Sequence, residues 1–362
     1  MENKHKTLVL IDSNAIIHRA YHALPKNMST SKGELTNAVY GYATTLIKVL
    51  EDLHPTHIAA SFDIGKPTER IAQYSEYKAT RVAADQELYD QIPKVREMLG
   101  AFNIPIYTCE GHEADDCLGS ISDKFEERNP EQIYKDFKVY IVSGDKDIFQ
   151  LIDGNIFVYW LKRGLSEAGV VNRKVIEVEW GLQPEDFIDL KALAGDPSDN
   201  IPGVPGIGPK TATDLLKKFE TLVKLYEKIE SSLAVIPDSD PESHNRVSGS
   251  TEILRQVQDD KELENVAKEL GIKPRIVGLL IEHKDQAFLS QKLATINRNL
   301  PIDFNLEDAE WGNYDKDKVR EFFERMQFQS LLRRFGAIPS ENEPKTKEAE
   351  EQKKKDEQLK LL

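Results

Sequence analysis

Three carboxylates stand within four residues at Glu113, Asp115 and Asp116, directly before an apolar run at Cys117, Leu118 and Ile121. Carboxylates this close repel one another and are costly to desolvate, so a cation should sit among them. A hard divalent metal with oxygen ligands is the natural candidate. A capped helix is the other reading, because acidic side chains suit the positive end of the helix dipole. On this stretch alone both stand. Six further acids bear on the choice: Asp12, Asp63, Asp145, Asp147, Asp196 and Asp199. The nine come from five sequence-distant segments, and they can converge only around cations. Two divalent ions with a phosphate between them would balance such a set. One ion would activate water while both stabilise the pentacoordinate phosphorus and the leaving oxygen. No Ser/His or Cys/His pair is needed for that chemistry.

The elements that would position these acids are legible. Lys6 to Ile11 is an apolar run ending at Asp12; His57 to Phe62 repeats the format before Asp63; Val139 to Val142 repeats it before Ser143-Gly-Asp-Lys-Asp147. Continuous apolar runs suit strands buried on both faces of a parallel sheet. Helical patterns at 37–53, 85–102 and 115–128 separate them. An open α/β sheet with its site outside the strand C-termini is therefore expected. From Pro184 onward the pattern is mostly helical, with helices over 184–194, 210–219, 263–297 and 318–335.

Arg70, Tyr74, Tyr77, Lys78 and Arg81 fall at i, i+4, i+7, i+8 and i+11, with no Gly or Pro between Thr68 and Ile92. This spacing predicts one helix face, basic and aromatic, of the kind that grips phosphates and stacks bases; an ordinary amphipathic surface helix has the same pattern. Gly203-Val-Pro-Gly-Ile-Gly208 precedes a helix beginning near Lys210 and Thr211. Exposed N–H groups at such a helix start make a sequence-independent phosphate site. Gly65-Lys66-Pro67-Thr68 is no Walker A loop, since Ala60 occupies the first glycine position and Pro67 intrudes. The histidines show no HExxH spacing.

At 362 residues, 40% of them hydrophobic, the chain exceeds the usual single-domain range. The apolar run from Thr7 to Ile11 is too short for a signal peptide or membrane span, and a cytoplasmic protein is expected. Cys109 and Cys117 lack zinc spacing and read as buried thiols. A net charge of −14 argues at face value against nucleic acid. The acids are unevenly spread, however, and those that bind metal would be neutralised. A Ser-, Pro- and Asp-rich stretch near 237–262 reads as a flexible insertion, and 337–362 as a charged tail or linker.

In this order the segments resemble the 5′-nuclease family, and within it the N-terminal 5′→3′ exonuclease domain of bacterial DNA polymerase I, with phage 5′-exonucleases and flap endonucleases as more distant relatives. The resemblance is carried by LVLIDSN (8–14), RAYHALP (19–25), SFD (61–63), EYKATR (76–81), GHEADD (111–116), VSGDKD (142–147), ALAGDPSDNIPGVPGIGPKTA (192–212), LSQKLATI (289–296) and FQSLLRRFG (328–336). It implies a PIN-like α/β nuclease domain over 1–183 with a helical arch near 66–95. A helix-three-turn-helix DNA-binding module over 184–336 would follow. It implies hydrolysis of DNA phosphodiesters near 5′ ends and at 5′ flaps, dependent on two Mg²⁺ (or Mn²⁺), in primer and flap removal. Asp12, Asp63, Glu113 and Asp115 match one metal's ligands. Asp145, Asp147 and Asp199 match the second's, with Asp115 shared and Asp116 and Asp196 supporting. Lys78 and Arg81 match residues that contact the scissile phosphate, with Arg70 and Tyr77 beside them. Gly203, Gly206, Ile207, Gly208, Lys210 and Thr211 match the turn that holds duplex backbone, where relatives bind K⁺. A monomer is expected, either a free-standing nuclease working with a separate DNA polymerase or the leading part of a split or truncated polymerase. Ser13 departs from the family's usual glycine, and Glu69 from the usual aromatic before Arg70. A non-catalytic DNA-junction binder and a PIN-type ribonuclease remain as alternatives.

Overall fold

The computed structural model describes residues 5–126, 134–162, 167–234 and 260–336. At its centre strand β1 (Lys6–Asp12) is buried from Leu8 onward, and its side chains alternate between two cores. Leu8 and Leu10 face one, Val9 and Ile11 the other. β1 pairs in parallel with β2 (His57–Ser61) on one side and β4 (Phe137–Ser143) on the other. β3 (Ile106–Tyr107) extends the sheet beyond β2, and β5 (Ile156–Leu161) extends it beyond β4; β6 (Ala168–Val171) closes the edge antiparallel to β5. The order β3-β2-β1-β4-β5-β6 reverses direction at β1. The C-terminal ends of β1 and β4 therefore flank a topological switch point, where open α/β sheets leave a crevice.

Helices α1 (Ser13–Ala23), α2 (Asn37–Leu53) and α5 (Ile92–Ala101) bury Ile16, Ile17, Leu46, Ile47 and Met98 against the Val9 face. Each such fully buried side chain contributes about 1.5–3 kcal/mol relative to exposure. Ser13, at the family's usual glycine position, is wholly buried and shares a 3.0 Å hydrogen bond with the Tyr42 hydroxyl. Helix α6 (Ala114–Ser122) packs on the Leu8 face with the helical half of the chain. That half comprises α7 (Arg173–Trp180), α8 (Asp186–Ala194), α9 (Pro209–Phe219), α10 (Leu222–Ala234), α11 (Asp260–Leu270), α12 (Pro274–Glu282) and α13 (Lys284–Ala294). Helices α14 (Lys316–Arg325) and α15 (Gln329–Phe335) return to the sheet domain, placing Phe322, Phe323 and Leu331 in the Val9 core. No helix among the described residues is long and apolar enough to cross a membrane.

Several expectations change. The single helix face from Arg70 to Arg81 does not form: α3 spans Thr68–Gln73, turns follow, and Lys78 adopts φ 56°. The break has a tertiary cause, because Lys78 N–H donates to the Asp199 carbonyl at 2.9 Å and Asn200 Nδ2 donates to the Glu76 carbonyl at 2.6 Å. The expected helix over 85–102 is likewise two, α4 (Gln86–Tyr89) and α5. The helical arch near 66–95 is thus a chain of short helices and turns. The insertion expected at 237–262 lies almost wholly outside the described residues, and its last three residues already belong to α11. The 337–362 tail lies outside them too.

Candidate metal and nucleic-acid site

Asp12 ends β1 and caps α1, its Oδ1 accepting Ala15 N–H at 3.1 Å. Its Oδ2 accepts the Ser143 hydroxyl, at the end of neighbouring β4, at 2.7 Å. Burial, aided by Asp63 and Asp145, pushes the Asp12 carboxyl up to about 7. Asp63 follows β2 and accepts Asn14 Nδ2 at 2.6 Å and Ala114 N–H at 2.7 Å, which ties β2 to the start of α6. Glu113 is the N-cap position of α6, and its N–H donates to Asp116 Oδ2 at 3.1 Å. After β4, Asp147 N–H donates to Asp145 Oδ1 at 3.0 Å in a tight turn. Asp12, Asp63, Glu113, Asp115, Asp145 and Asp147 all line one cleft of about 220 Å³, together with Asn14, His18, Lys78 and Arg81. Asp147, Asp196 and Asp199 bring ligand oxygens within 4.8 Å of one another beside it. Strand ends that are far apart in sequence thus meet at the switch point.

Four cationic side chains answer nine carboxylates. Lys78 pairs with Glu113 and stands 3.6 Å from Asp199; Arg81 pairs with Asp199; Lys191 pairs with Asp147 and Asp196. Arg70 pairs with Glu113 and Asp116. Burial pushes the Glu113 and Asp199 carboxyls up, but Lys78 with Arg70, and Lys78 with Arg81, outweigh it and hold both below the usual range. Burial raises Asp115 well above that range, against Arg70 and with help from Asp116 and Glu113. Burial and Asp145 push Asp147 up to about 7 despite Lys191. Five negative charges remain unmet by protein cations, and an all-oxygen donor set of this kind suits Mg²⁺ or Mn²⁺.

Three expected residues take other parts. Asp116 is 2% exposed in its side chain and is used up by Arg70, Glu113 N–H and Asn297 N–H at 2.7–3.1 Å, so it faces away from the cleft. Arg70, expected on a DNA-facing helix surface, is buried with its guanidinium turned inward. Tyr77 is buried too, its hydroxyl donating to Glu113 at 2.7 Å and to Asp199 at 3.3 Å. Lys191 was absent from the expected set, and nothing in the α8 sequence sets it apart from any other helical lysine. Glu69 meets His112 Nδ1 at 3.0 Å, which gives this departure a local partner.

The glycine-rich turn is built as a cradle. Gly203 has φ 61°, and a Cβ there would meet Gly195 N at 2.1 Å, so only glycine fits. Gln286 Nε2 donates to the Gly203 carbonyl at 2.7 Å and Gly203 N–H donates to Ser290 at 3.0 Å, fixing the turn to α13. Gly206 and Gly208 are exposed, whereas the Ile207 side chain enters the core. Gly208 brings no capping side chain to α9, whose first residue is Pro209. The first-turn N–H groups of Lys210 and Thr211 thus have no intrahelical partner.

Residues 7–181 match the family model described as the 5′-3′ exonuclease N-terminal resolvase-like domain, and residues 182–249 match its C-terminal SAM fold. The chain belongs to the 5′-3′ exonuclease family. DNA polymerase I of Bacillus subtilis (strain 168) is 38% identical over 338 residues, covering 93% of this chain and 33% of the relative. DNA polymerase I of Bacillus caldotenax is 37% identical over the same length, with the same coverage. The chain thus spans about a third of the length of these relatives. Among solved structures, T5 5′-exonuclease with bound divalent metal ions (zinc) aligns at TM-score 0.56 and 18% identity, covering 89% of this chain and 99% of that one. The catalytic core of Rad2 in complex with DNA substrate aligns at TM-score 0.54 and 17% identity, covering 91% and 92%. At these identities the structural likeness speaks to the fold of the 5′-3′ exonuclease chain.

Proposed function

We propose that this chain is a metal-dependent 5′→3′ exonuclease and 5′-flap endonuclease that hydrolyses DNA phosphodiesters during primer and flap removal. The observation that carries the reading is the cleft at the switch point, where six carboxylates from four segments stand opposite Lys78 and Arg81. Asp12, Asp63, Glu113 and Asp115 would hold one Mg²⁺ or Mn²⁺, and Asp145, Asp147 and Asp199 the second, with Asp115 between them and Asp196 supporting through Lys191. Ions held there supply Lewis-acid stabilisation of the phosphoryl oxygens. Lys78 and Arg81 bring positive charge to the scissile phosphate. The Gly206–Gly208 turn and the N–H groups of Lys210 and Thr211 hold duplex backbone without reading sequence; K⁺ is the ion we assign to that turn. We divide the chain into a nuclease domain over 1–183, a DNA-binding module over 184–336 and a tail over 337–362. We further assign a monomer that acts in the cytoplasm with a DNA polymerase.

The test is a labelled 5′-flap substrate with Mg²⁺, with Asp145→Ala and Asp115→Ala as controls. Cleavage at the flap junction, lost in both variants, is expected. Junction binding without turnover would replace the reading with a binding module, and preference for single-stranded RNA would replace it with a ribonuclease.

A further inference from the structure

Arg70 uses every N–H it has. Nε donates to the Leu293 carbonyl at 3.2 Å; Nη1 donates to Glu113 Oε2 and Asp116 Oδ2, both at 2.8 Å; Nη2 donates to Asp116 Oδ1 at 2.7 Å and to the Thr295 carbonyl at 3.1 Å. It is 8% exposed, so these bonds are made away from water. They join three pieces of chain: α3, the start of α6, and the end of α13 in the helical half. The Glu113 carboxylate is thereby divided. Its Oε2 already takes Arg70 Nη1 and the Tyr77 hydroxyl, while its Oε1 is the oxygen that Lys78 reaches from the cleft.

We propose that Arg70 is a positioning residue that pins Glu113 Oε2 and so presents Oε1 to the metal side of the cleft. The inference rests on the nuclease reading and deepens it. A planar fork suits this task and an ammonium does not, because one guanidinium edge spans both oxygens of Asp116 while its Nη1 also reaches Glu113. Asp116 is then the anchor for the fork, and its loss of a metal role and the burial of Arg70 are one fact. Partners that orient a metal ligand alter metal affinity or activity by about 10–100-fold when removed.

The experiment measures Mn²⁺ binding to the full chain by electron paramagnetic resonance, for wild type, Arg70→Lys and Arg70→Ala. Flap-DNA affinity in chelator and thermal unfolding are recorded alongside. In both variants the Mn²⁺ dissociation constant should rise about 10–100-fold, with DNA affinity in chelator within about threefold, a change worth under 1 kcal/mol. A cavity of about 600 Å³ borders Arg70 on its outer side, lined also by Gln73, His112, Thr295 and Asn297. Methylguanidinium should enter there and restore Mn²⁺ affinity to Arg70→Ala but not to Arg70→Lys, whose ammonium fills the place. Unchanged Mn²⁺ affinity in a folded variant would overturn the proposal, as would a selective loss of DNA affinity, which would make Arg70 a phosphate contact. Should Arg70→Ala melt below the assay temperature, Arg70→Lys decides the question by the same two measurements. If wild type fails to cleave a flap while Mn²⁺ affinity depends on Arg70, the nuclease reading falls and the positioning role stands. If wild type cleaves and both variants bind Mn²⁺ normally, only the positioning role falls.

Discussion

Replacing Asp12 with asparagine should stabilise the metal-free protein at alkaline pH, although it removes a proposed metal ligand. The Asp12 carboxyl is 7% exposed and is pushed up to about 7 from 3.8, chiefly by burial. Between those values the folded state binds more protons than the unfolded state, so stability falls as pH rises from about 4 to about 7 and is flat above. A tenfold difference in proton affinity between the two states is worth about 1.4 kcal/mol, which gives a ceiling of about 4 kcal/mol for this one group. Asparagine keeps the cap, its oxygen still accepting Ala15 N–H at a position where Asn and Asp are equivalent, while its Nδ2 would donate to the Ser143 hydroxyl oxygen, reversing the bond that Asp12 Oδ2 now accepts. The charge is lost, and no hydrogen-bond partner is left bare. In chelator at pH 8, Asp12→Asn should therefore exceed wild type by about 2–4 kcal/mol, narrowing to about 1–1.5 kcal/mol at pH 5. The assay is urea unfolding across pH, with and without excess Mn²⁺. Added Mn²⁺ should stabilise wild type strongly at pH 8 and the variant much less. Equal stabilities at pH 8 in chelator, or a less stable variant, would refute the account of Asp12 as a carboxylate buried without a cation.

Tyr77→Phe deletes the donor shared by Glu113 and Asp199, and should cost about 1.5–3 kcal/mol of stability in urea unfolding, the range for a hydrogen bond to a charged group. Gly203→Ala forces a Cβ against Gly195 N at φ 61° and should lower stability by more than about 2 kcal/mol. Gly208→Ala, with open space at its Cβ and φ −93°, should stay within about 0.5 kcal/mol in the same urea unfolding. Lys78→Ala should lower kcat for flap cleavage by about 10²–10³-fold, the scale for one lost group that stabilises developing charge. Single-turnover kinetics check it, and a change confined to KM would reassign Lys78 to substrate binding.

The sheet was legible where its strands carried both signals at once. β1, β2 and β4 are apolar runs ended by an acid, and both marks have one cause, burial on two faces below a polar switch point. β5 is as apolar as β1 but ends without a carboxylate, so a reading keyed on strand-end acids passes over it. β3 is two residues long and has too little pattern to read. The Arg70 to Arg81 spacing fits a helix face, and no Gly or Pro warns against one. What breaks it is Asp199, more than a hundred residues away, whose carbonyl claims the Lys78 N–H. Helical propensity is a weak preference, and a tertiary hydrogen bond overrides it. Lys191 was hidden for the opposite reason, since nothing local distinguishes a lysine in a helix from one aimed at two carboxylates.

A cation does stand among Glu113, Asp115 and Asp116, but it serves only part of the cluster. For Asp116 and half of Glu113 that cation is the Arg70 guanidinium, already in the fold. For Asp115 it is not: Arg70 Nη1 stands 3.9 Å from its carboxylate, and burial still holds that group well above the usual range. The direction in which each carboxyl moves thereby sorts the acids. Glu113 and Asp199 lie below the usual range because Lys78 reaches both and a second cation, Arg70 or Arg81, reaches each. Asp12, Asp63, Asp115 and Asp147 lie above it because resident cations are missing or outweighed. A protein stabilised for its own sake would not keep four such carboxylates in one cleft. On the reading proposed above, their cost would be recovered when divalent ions bind, so these four, one from each of four chain segments, are the carboxylates we expect metal removal to affect most, Asp115 among them as the proposed shared ligand.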